Sequence, residues 1–232
     1  MGTLAEYYES LGYPQSRWHV GAEHPALEQY AVGLLRRLSR ARVLEVGYQA
    51  GGFAVPLILA MRDRPDFTYI GIDSMEYGTA VDGSVITGYL EREGVKGKYE
   101  FAVGDAGEFL AKRAKSDFDL VLIDHDKRLY PREFRMLLRR GLVSEEGYVL
   151  MHDVLGKARR AWEDCAVIAR AGGYDHSIVA EVPEGLAVVR RRRSAAAPGM
   201  RGRIRLWAVC MRICGRQALD VLRRWRPAGV SA

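Results

Sequence analysis

Residues 42–54 read RVLEVGYQAGGFA: an apolar run ending at Val46, broken by Gly47, Gly51 and Gly52, and apolar again from Phe53. A short run without polar alternation reads as a strand buried on both faces. The glycines behind it mark a sharp turn into the helical stretch GFAVPLILAMRD (52–63). Glu45 is an acid near the end of a buried strand, which packing alone does not call for. Such a break is either a tight turn or the floor of a ligand site. The rest of the chain decides between them.

The same pattern recurs outward from this stretch. FTYIGID (67–73), YEFAVGD (99–105), FDLVLID (118–124) and GYVLMHD (147–153) are further apolar runs, each ending in an acid. Helical patterns lie in HPALEQYAVGLLRRL (24–38), AGEFLAKRAK (106–115) and YPREFRMLLRRGL (130–142). Buried strands alternating with helices predict an α/β fold: a doubly wound, Rossmann-like, mostly parallel sheet with helices on both faces. DHSIVAEVPEGLAVVRR (175–191) reads as two terminal strands forming an antiparallel edge. Three segments are expected: an N-terminal helical cap or lid over 1–40, a catalytic domain over 41–191, and a basic amphipathic extension over 192–232.

Composition places the chain among soluble globular proteins, with 48% hydrophobic and 28% charged residues. No stretch has the ~20 apolar residues of a membrane span, and Glu6 and Glu9 interrupt a signal-peptide pattern. Cys165, Cys210 and Cys214 fit neither a disulfide framework nor a zinc spacing, so a reducing cytoplasm is expected. The net charge of +6 hides an asymmetry. From Arg190 onward there are 12 arginines and one acid, Asp220, whereas the preceding 189 residues carry 23 basic and 28 acidic groups. A mildly acidic body with a basic tail argues against a nucleic-acid surface on the body.

In a doubly wound sheet, ligands bind at the carboxyl ends of the strands, where strand order reverses. Glu45, Asp73, Asp105, Asp124 and Asp153 all fall at or beside those ends. One such acid is an ordinary turn residue or helix cap. Five on one rim point to a site.

These motifs together resemble the class I S-adenosylmethionine-dependent methyltransferases, and most closely the small, often metal-dependent O-methyltransferases with Asp-x-Asp after the fourth strand. LEVGYQAGG (44–52), YIGID (69–73), VGDA (103–106), and FDLVLIDHDKRLY (118–130) followed by GYVLMHDVL (147–155) carry the resemblance. It implies S-adenosylmethionine as cofactor, held by Glu45, Gly47, Gly51, Asp73, Ser74, Asp105, Ala106 and Asp124. The residue types agree with this. Gly47 and Gly51 let backbone approach the methionine part of the cofactor without a Cβ. A negative Glu45 suits its amino and sulfonium charges. Asp73, 28 residues after Glu45, is placed to accept the ribose hydroxyls. Asp105 is also a natural N-cap for the helix that follows, and the two roles are compatible. A nicotinamide enzyme would share the acid on the second strand, but GYQAGG lacks the Gly-x-Gly-x-x-Gly spacing.

Methyl transfer to a hydroxyl needs an aligned oxygen and a way to ionise it. The resemblance makes Asp124 and Asp153 ligands of a divalent metal such as magnesium, with Asp126 or Lys127 as base or positioning group. His152 departs from the family pattern, in which an acid pairs with Asp or Asn. Histidine suits manganese or iron better than magnesium, so His152 reads as a metal ligand, a general base or a neighbour of the metal. Trp18, His19 and His24 are candidates for a substrate lid, and the loop DSMEYGTAVDG (73–83) for a cover.

The segment 201–226 interleaves arginines with apolar residues at helical spacing. It reads as a helix packing on the body or a second subunit in a homo-oligomer, or as a peripheral membrane contact on anionic lipid. It carries no recognisable nucleic-acid reading motif. The expected activity is methyl transfer to a small-molecule acceptor: a natural product, a sugar or a lipid-linked hydroxyl. The alternative is a non-catalytic module that keeps the fold while the tail recruits it to a membrane or partner.

Overall fold

The computed structural model describes residues 3–13, 25–76, 81–115 and 117–192. The apolar runs form β1 (Ala41–Val46), β2 (Phe67–Asp73), β3 (Tyr99–Val103), β4 (Phe118–Ile123) and β5 (Val143–Met151), which pair in parallel. β6 (Tyr174–Val179) and β7 (Leu186–Arg191) close one side antiparallel. The sheet has seven strands in the order β3-β2-β1-β4-β5-β7-β6. The expected Rossmann-like sheet with an antiparallel C-terminal edge is the one observed.

β4 shows why these strands read as unbroken apolar runs. All six of its residues are buried, with Leu120 and Leu122 in one core and Val121 and Ile123 in the other. Burying each apolar side chain contributes about 1.5–3 kcal/mol, and the one polar residue, Asp119, is buried only in a pair with Arg42. The first core is covered by α1 (Leu4–Ser10), α2 (Pro25–Leu35), α3 (Ala54–Met61) and α4 (Gly83–Arg92). The second is covered by α5 (Ala106–Ala111), α6 (Tyr130–Arg140) and α7 (Arg159–Gly172).

Two helices were not legible as periodic stretches. α4 contains Gly83, Gly88 and the β-branched run Val85, Ile86, Thr87, which lower helix propensity; its start is fixed by Asp82, whose side chain accepts from the Ser84 amide. α7 carries its apolar stripe on Trp162, Cys165, Ala166, Ile168 and Ala169. α5 stops at Ala111, four residues short of its expected end, and β5 begins at Val143, four residues early, with a register irregularity opposite Phe118–Leu120.

α2 shares one core with β1 and α3. α1 docks through Tyr8, whose buried hydroxyl donates to the Ala50 carbonyl at 2.8 Å, tying the N-terminal segment to the glycine turn. Trp18, His19 and His24, part of the 73–83 loop, Cys210, Cys214 and the basic segment 201–226 lie outside the described residues. Among the described residues no helix is long and apolar enough to cross a membrane.

Candidate active site

Strand order reverses between β1 and β4, so the crossovers leaving these neighbours run in opposite directions and open a crevice at their carboxyl ends. Backbone bonds hold the rim together: the Gly47 amide donates to Ile72 O at 2.8 Å, and the Asp124 amide to Val46 O at 2.9 Å.

The turn after β1 needs glycine for its own packing. Gly47 has φ 97°, and a Cβ there would stand 2.4 Å from the Asp124 carbonyl oxygen and 2.7 Å from His125 Cβ. A Cβ on Gly51, at φ 75°, would meet Ile86 and Val55 at 3.3 Å. In both cases the missing Cβ faces the chain's own atoms, and these glycines let the rim close on itself.

Glu45 is not an acid on the rim. It is 3% exposed, among the side chains of the first core, and accepts a hydrogen bond from the Tyr69 hydroxyl. Burial pushes its carboxyl well above the usual range, the Tyr69 bond only partly offsets this, and the charges of Asp124 and Asp73 add to it. A carboxyl held in this way keeps its proton to higher pH than an exposed glutamate does.

Asp73 does stand on the rim. Its two oxygens accept from the backbone amides of Gln49 (2.9 Å) and Met75 (2.8 Å). Both donors sit at left-handed φ, 48° and 62°, a conformation non-glycine residues adopt at a cost. The two strained residues clamp one carboxylate, and each of its oxygens keeps a lone pair for a ligand. Ser74 beside it is exposed. Tyr48, just before Gln49, has its ring edge-on to Phe101 and its hydroxyl pushed up to about 12 by burial, then by Asp73 and Asp82.

Asp105 caps α5, accepting from the Glu108 amide at 2.9 Å, and Ala106 is the first residue of that helix. Arg132 binds the other Asp105 oxygen at 2.8 Å and Glu133 Oε1 at 2.8 Å. The Arg132 hydrogen bond is the main reason the Asp105 carboxyl lies below its ordinary value. Glu133, fully buried, also lies 2.9 Å from His125 Nε2. The Arg132 bonds fasten α6 to the turn after β3.

The densest cluster stands where β4 and β5 end. Asp124, His152 and Asp153 come together as expected, their ligand atoms within 4.8 Å of one another. Asp153 is another residue at left-handed φ (65°), which turns it toward its neighbours. His152 Nδ1 is 3.2 Å from both Asp124 Oδ2 and Asp153 Oδ1, and its Nε2 is 3.0 Å from Pro183 O. A carbonyl only accepts, so Nε2 carries the proton and Nδ1 is the nitrogen whose protonation changes. Burial lowers the imidazole pKa, but the Asp124 hydrogen bond and charge, then Asp153 and Pro183, outweigh it and raise it.

Lys127 reaches into this group from a 3₁₀ turn (Lys127–Leu129). Its Nζ lies 2.5 Å from Asp124 Oδ1, 2.8 Å from Asp153 Oδ2 and 2.9 Å from the Tyr130 hydroxyl. Burial pulls the ammonium pKa down, and Asp124 and Asp153 more than restore it. For Asp124, burial is outweighed by His152 and Lys127, and its carboxyl sits far below the ordinary range. Asp124, His152 and Asp153 thus form a group that could hold a divalent ion, with the Lys127 ammonium beside the other oxygen of each carboxylate. Asp126 stands apart: it caps the 3₁₀ turn and accepts from the Arg128 amide and side chain at 3.0 Å. Tyr130 was read only as the first turn of a helix. It opens α6, but its buried hydroxyl joins the cluster, 3.3 Å from Asp124 Oδ1. Its place three residues after Lys127, across the turn, is the signal that would have found it.

Comparison with known proteins agrees with this fold. A family model described as a methyltransferase domain matches residues 44–154, from β1 through the end of β5. This is a class I methyltransferase fold. Solved structures similar to it include the SAH-bound methyltransferase PaMTH1 of Podospora anserina, 18% identical, covering 82% of this chain and 87% of that one with a TM-score of 0.61. The O-methyltransferase TomG from Streptomyces achromogenes, in complex with SAM, is 19% identical over 81% of this chain and 87% of its own, with a TM-score of 0.61. An O-methyltransferase from Bacillus cereus in complex with SAH is 15% identical over 82% and 90%, with a TM-score of 0.63. No curated protein matches the chain. In the terms of the methyltransferase fold, Asp73 occupies the end of the second strand, Asp105 the end of the third, and the Asp124–Asp153 cluster the ends of the fourth and fifth.

Proposed function

We propose that this chain transfers the methyl group of S-adenosylmethionine to a hydroxyl of a small-molecule acceptor. The observation that carries the reading is the Asp73 clamp at the switch point, beside the charged cluster after β4 and β5, in a chain that matches a methyltransferase domain. When bound, S-adenosylmethionine supplies a methyl group already activated on a sulfonium.

The chain's own residues do the rest. Asp73, oriented by the Gln49 and Met75 amides, accepts the ribose hydroxyls with its remaining lone pairs. Asp105 and the Ala106 amide bind the adenine edge, with Arg132 holding Asp105 in place. The backbone from Gly47 to Gly51 frames the remaining part of the cofactor beside Ser74 and Asp124. The acceptor hydroxyl meets the cluster, where Asp153 accepts its proton and passes it to His152 Nδ1, 3.2 Å away. Pro183 fixes the ring so that Nδ1 faces both carboxylates. Proximity and alignment of oxygen and methyl group then supply most of the rate.

Titration calorimetry of the purified chain with S-adenosylmethionine tests the first half of the reading: saturable heat is expected, and its absence refutes cofactor binding. Transfer of labelled methyl to a panel of phenols, sugars and polyketide-type hydroxyls tests the second half.

A further inference from the structure

Tyr48, Ala50 and Gly51 are buried in the turn that follows β1, so their backbone groups need partners within the chain. The Gly51 amide donates to Tyr48 O at 2.7 Å, which makes Gln49 and Ala50 the central pair of a tight turn. Separate segments hold that pair from outside. The Gln49 amide donates to Asp73 Oδ2 at 2.9 Å, and the Gln49 carbonyl accepts from the Val81 amide at 2.8 Å. The Ala50 carbonyl accepts from the Tyr8 hydroxyl at 2.8 Å. Gln49 sits at φ 48°, a conformation that costs energy and persists only where its surroundings over-determine it.

The rest of α1 is built to keep Tyr8 in place. The Tyr8 ring is buried and tilted against Tyr7 and Tyr13, with centroids 6.2 and 6.0 Å apart. Tyr7 packs on Tyr89 of α4 at 5.4 Å, and its hydroxyl stands 2.8 Å from where a Cβ on Gly88 would be, so that glycine makes room for it. α4 starts at Gly83, two residues after Val81, whose amide reaches the same turn. α1 thus bridges the turn after β1 and the helix after β2, the two segments that flank Asp73. We propose that Tyr8 is a positioning residue for the cofactor site: its bond to Ala50 O holds the Gln49 amide on Asp73, so that docking of α1 and binding of cofactor favour one another. The inference rests on the proposed ribose-binding role of Asp73. The coupling is reciprocal: the factor by which docked α1 raises cofactor affinity is the factor by which bound cofactor favours docked α1.

Residue-resolved amide hydrogen exchange and calorimetry with S-adenosylhomocysteine, both on the full chain, test this without turnover. Tyr8→Phe keeps the ring and removes the bond. It should speed exchange of the Gln49 amide in the free protein and weaken S-adenosylhomocysteine binding by about 2- to 10-fold, the range spanned by one neutral hydrogen bond. Asp119→Ala, which lowers stability at the opposite end of β4, should leave both quantities as in the wild type. Saturating S-adenosylhomocysteine should slow exchange of the amides of residues 7–10 in the wild type, and slow them less in Tyr8→Phe. Wild-type affinity or wild-type Gln49 exchange in Tyr8→Phe overturns the proposal, whatever the fall in Tm, because the tyrosine is then structural only. An equal change in Asp119→Ala also overturns it, since global stability is then what both assays read. Should Tyr8→Phe not fold, the wild type decides: α1 exchange slowed by the cofactor supports the proposal, and unchanged exchange overturns it. Absent cofactor heat in the wild type refutes the methyl-transfer reading. Gln49 exchange in free Tyr8→Phe then decides the positioning role by itself: faster exchange supports it, and unchanged exchange overturns it.

Discussion

Replacing Glu45 by Gln isolates the effect of a proton held inside the sheet. The glutamine keeps the volume and still accepts the Tyr69 hydroxyl, but it cannot ionise. In the unfolded chain a glutamate titrates near ~4.3, whereas burial raises the folded value well above that. A raised carboxyl pKa contributes its stability below the unfolded value and loses it as pH rises toward the folded one. As pH rises past the unfolded value, the unfolded wild type releases the Glu45 proton more readily than the folded protein does, so the wild type loses stability relative to Glu45→Gln until the folded group ionises too. The linkage slope of a single proton caps this loss at about 1.4 kcal/mol per pH unit. For a chain of this size each kcal/mol is a relative change of roughly 2–4 °C in Tm. Thermal unfolding of both proteins at pH 5, 6 and 7 measures it: the two curves should separate in favour of the variant as pH rises. A difference in Tm that stays constant across the three pH values would mean that Glu45 ionises normally in the fold, and the account of its burial would be wrong.

Other perturbations act at separate points of the rim. Asp73→Ala should weaken S-adenosylmethionine binding by at least ~10-fold, since each lost hydrogen bond from a charged group is worth about 1.5–3 kcal/mol; calorimetry checks it, and unchanged affinity refutes the ribose role. Gly47→Ala forces a Cβ against the Asp124 carbonyl at a left-handed φ, and should destabilise the fold by about 2–4 kcal/mol in urea titration. Tyr8→Phe removes the bond to Ala50 O at a cost of about 1 kcal/mol, read as a fall in Tm. Asp119 accepts from the Arg42 amide and guanidinium at 3.1 and 2.9 Å, so Asp119→Ala should cost about 1.5–3 kcal/mol at neutral pH. That difference should shrink as acid protonates Asp119, whose carboxyl burial raises but Arg42 and Ser144 hold below its ordinary value.

The sheet was legible because its central strands are buried on both faces, and a strand such as FDLVLI cannot hide that in its sequence. The acids at strand ends were legible for the same reason, since polar residues at those points stand out against apolar runs. Side-chain direction was not. Glu45 and Asp73 look alike as strand-end acids, yet Glu45 lies opposite Gly71, two residues deeper in the sheet than Asp73, and is buried there while Asp73 lies at the mouth. The role of Gly47 depended on how close the turn after β4 comes, a contact across 77 residues of chain. Lys127 and Tyr130 were ambiguous because their meaning depends on a 3₁₀ turn that delays the start of α6.

The strand order also bears on how the molecule is completed during synthesis. β7 is last in sequence among the described strands, yet it lies between β5 and β6. Until residues 186–191 emerge, β5 has a bare flank and β6 has no strand to join. The connection between β6 and β7 also brings Pro183, whose carbonyl fixes the ring of His152. A nascent chain therefore acquires its acidic rim early and its histidine geometry only when the final hairpin slots in. The setting of the His152 ring is in this way coupled to the arrival of the last strand, and a chain cut before Leu186 would keep the motifs while β5 lacks its antiparallel neighbour.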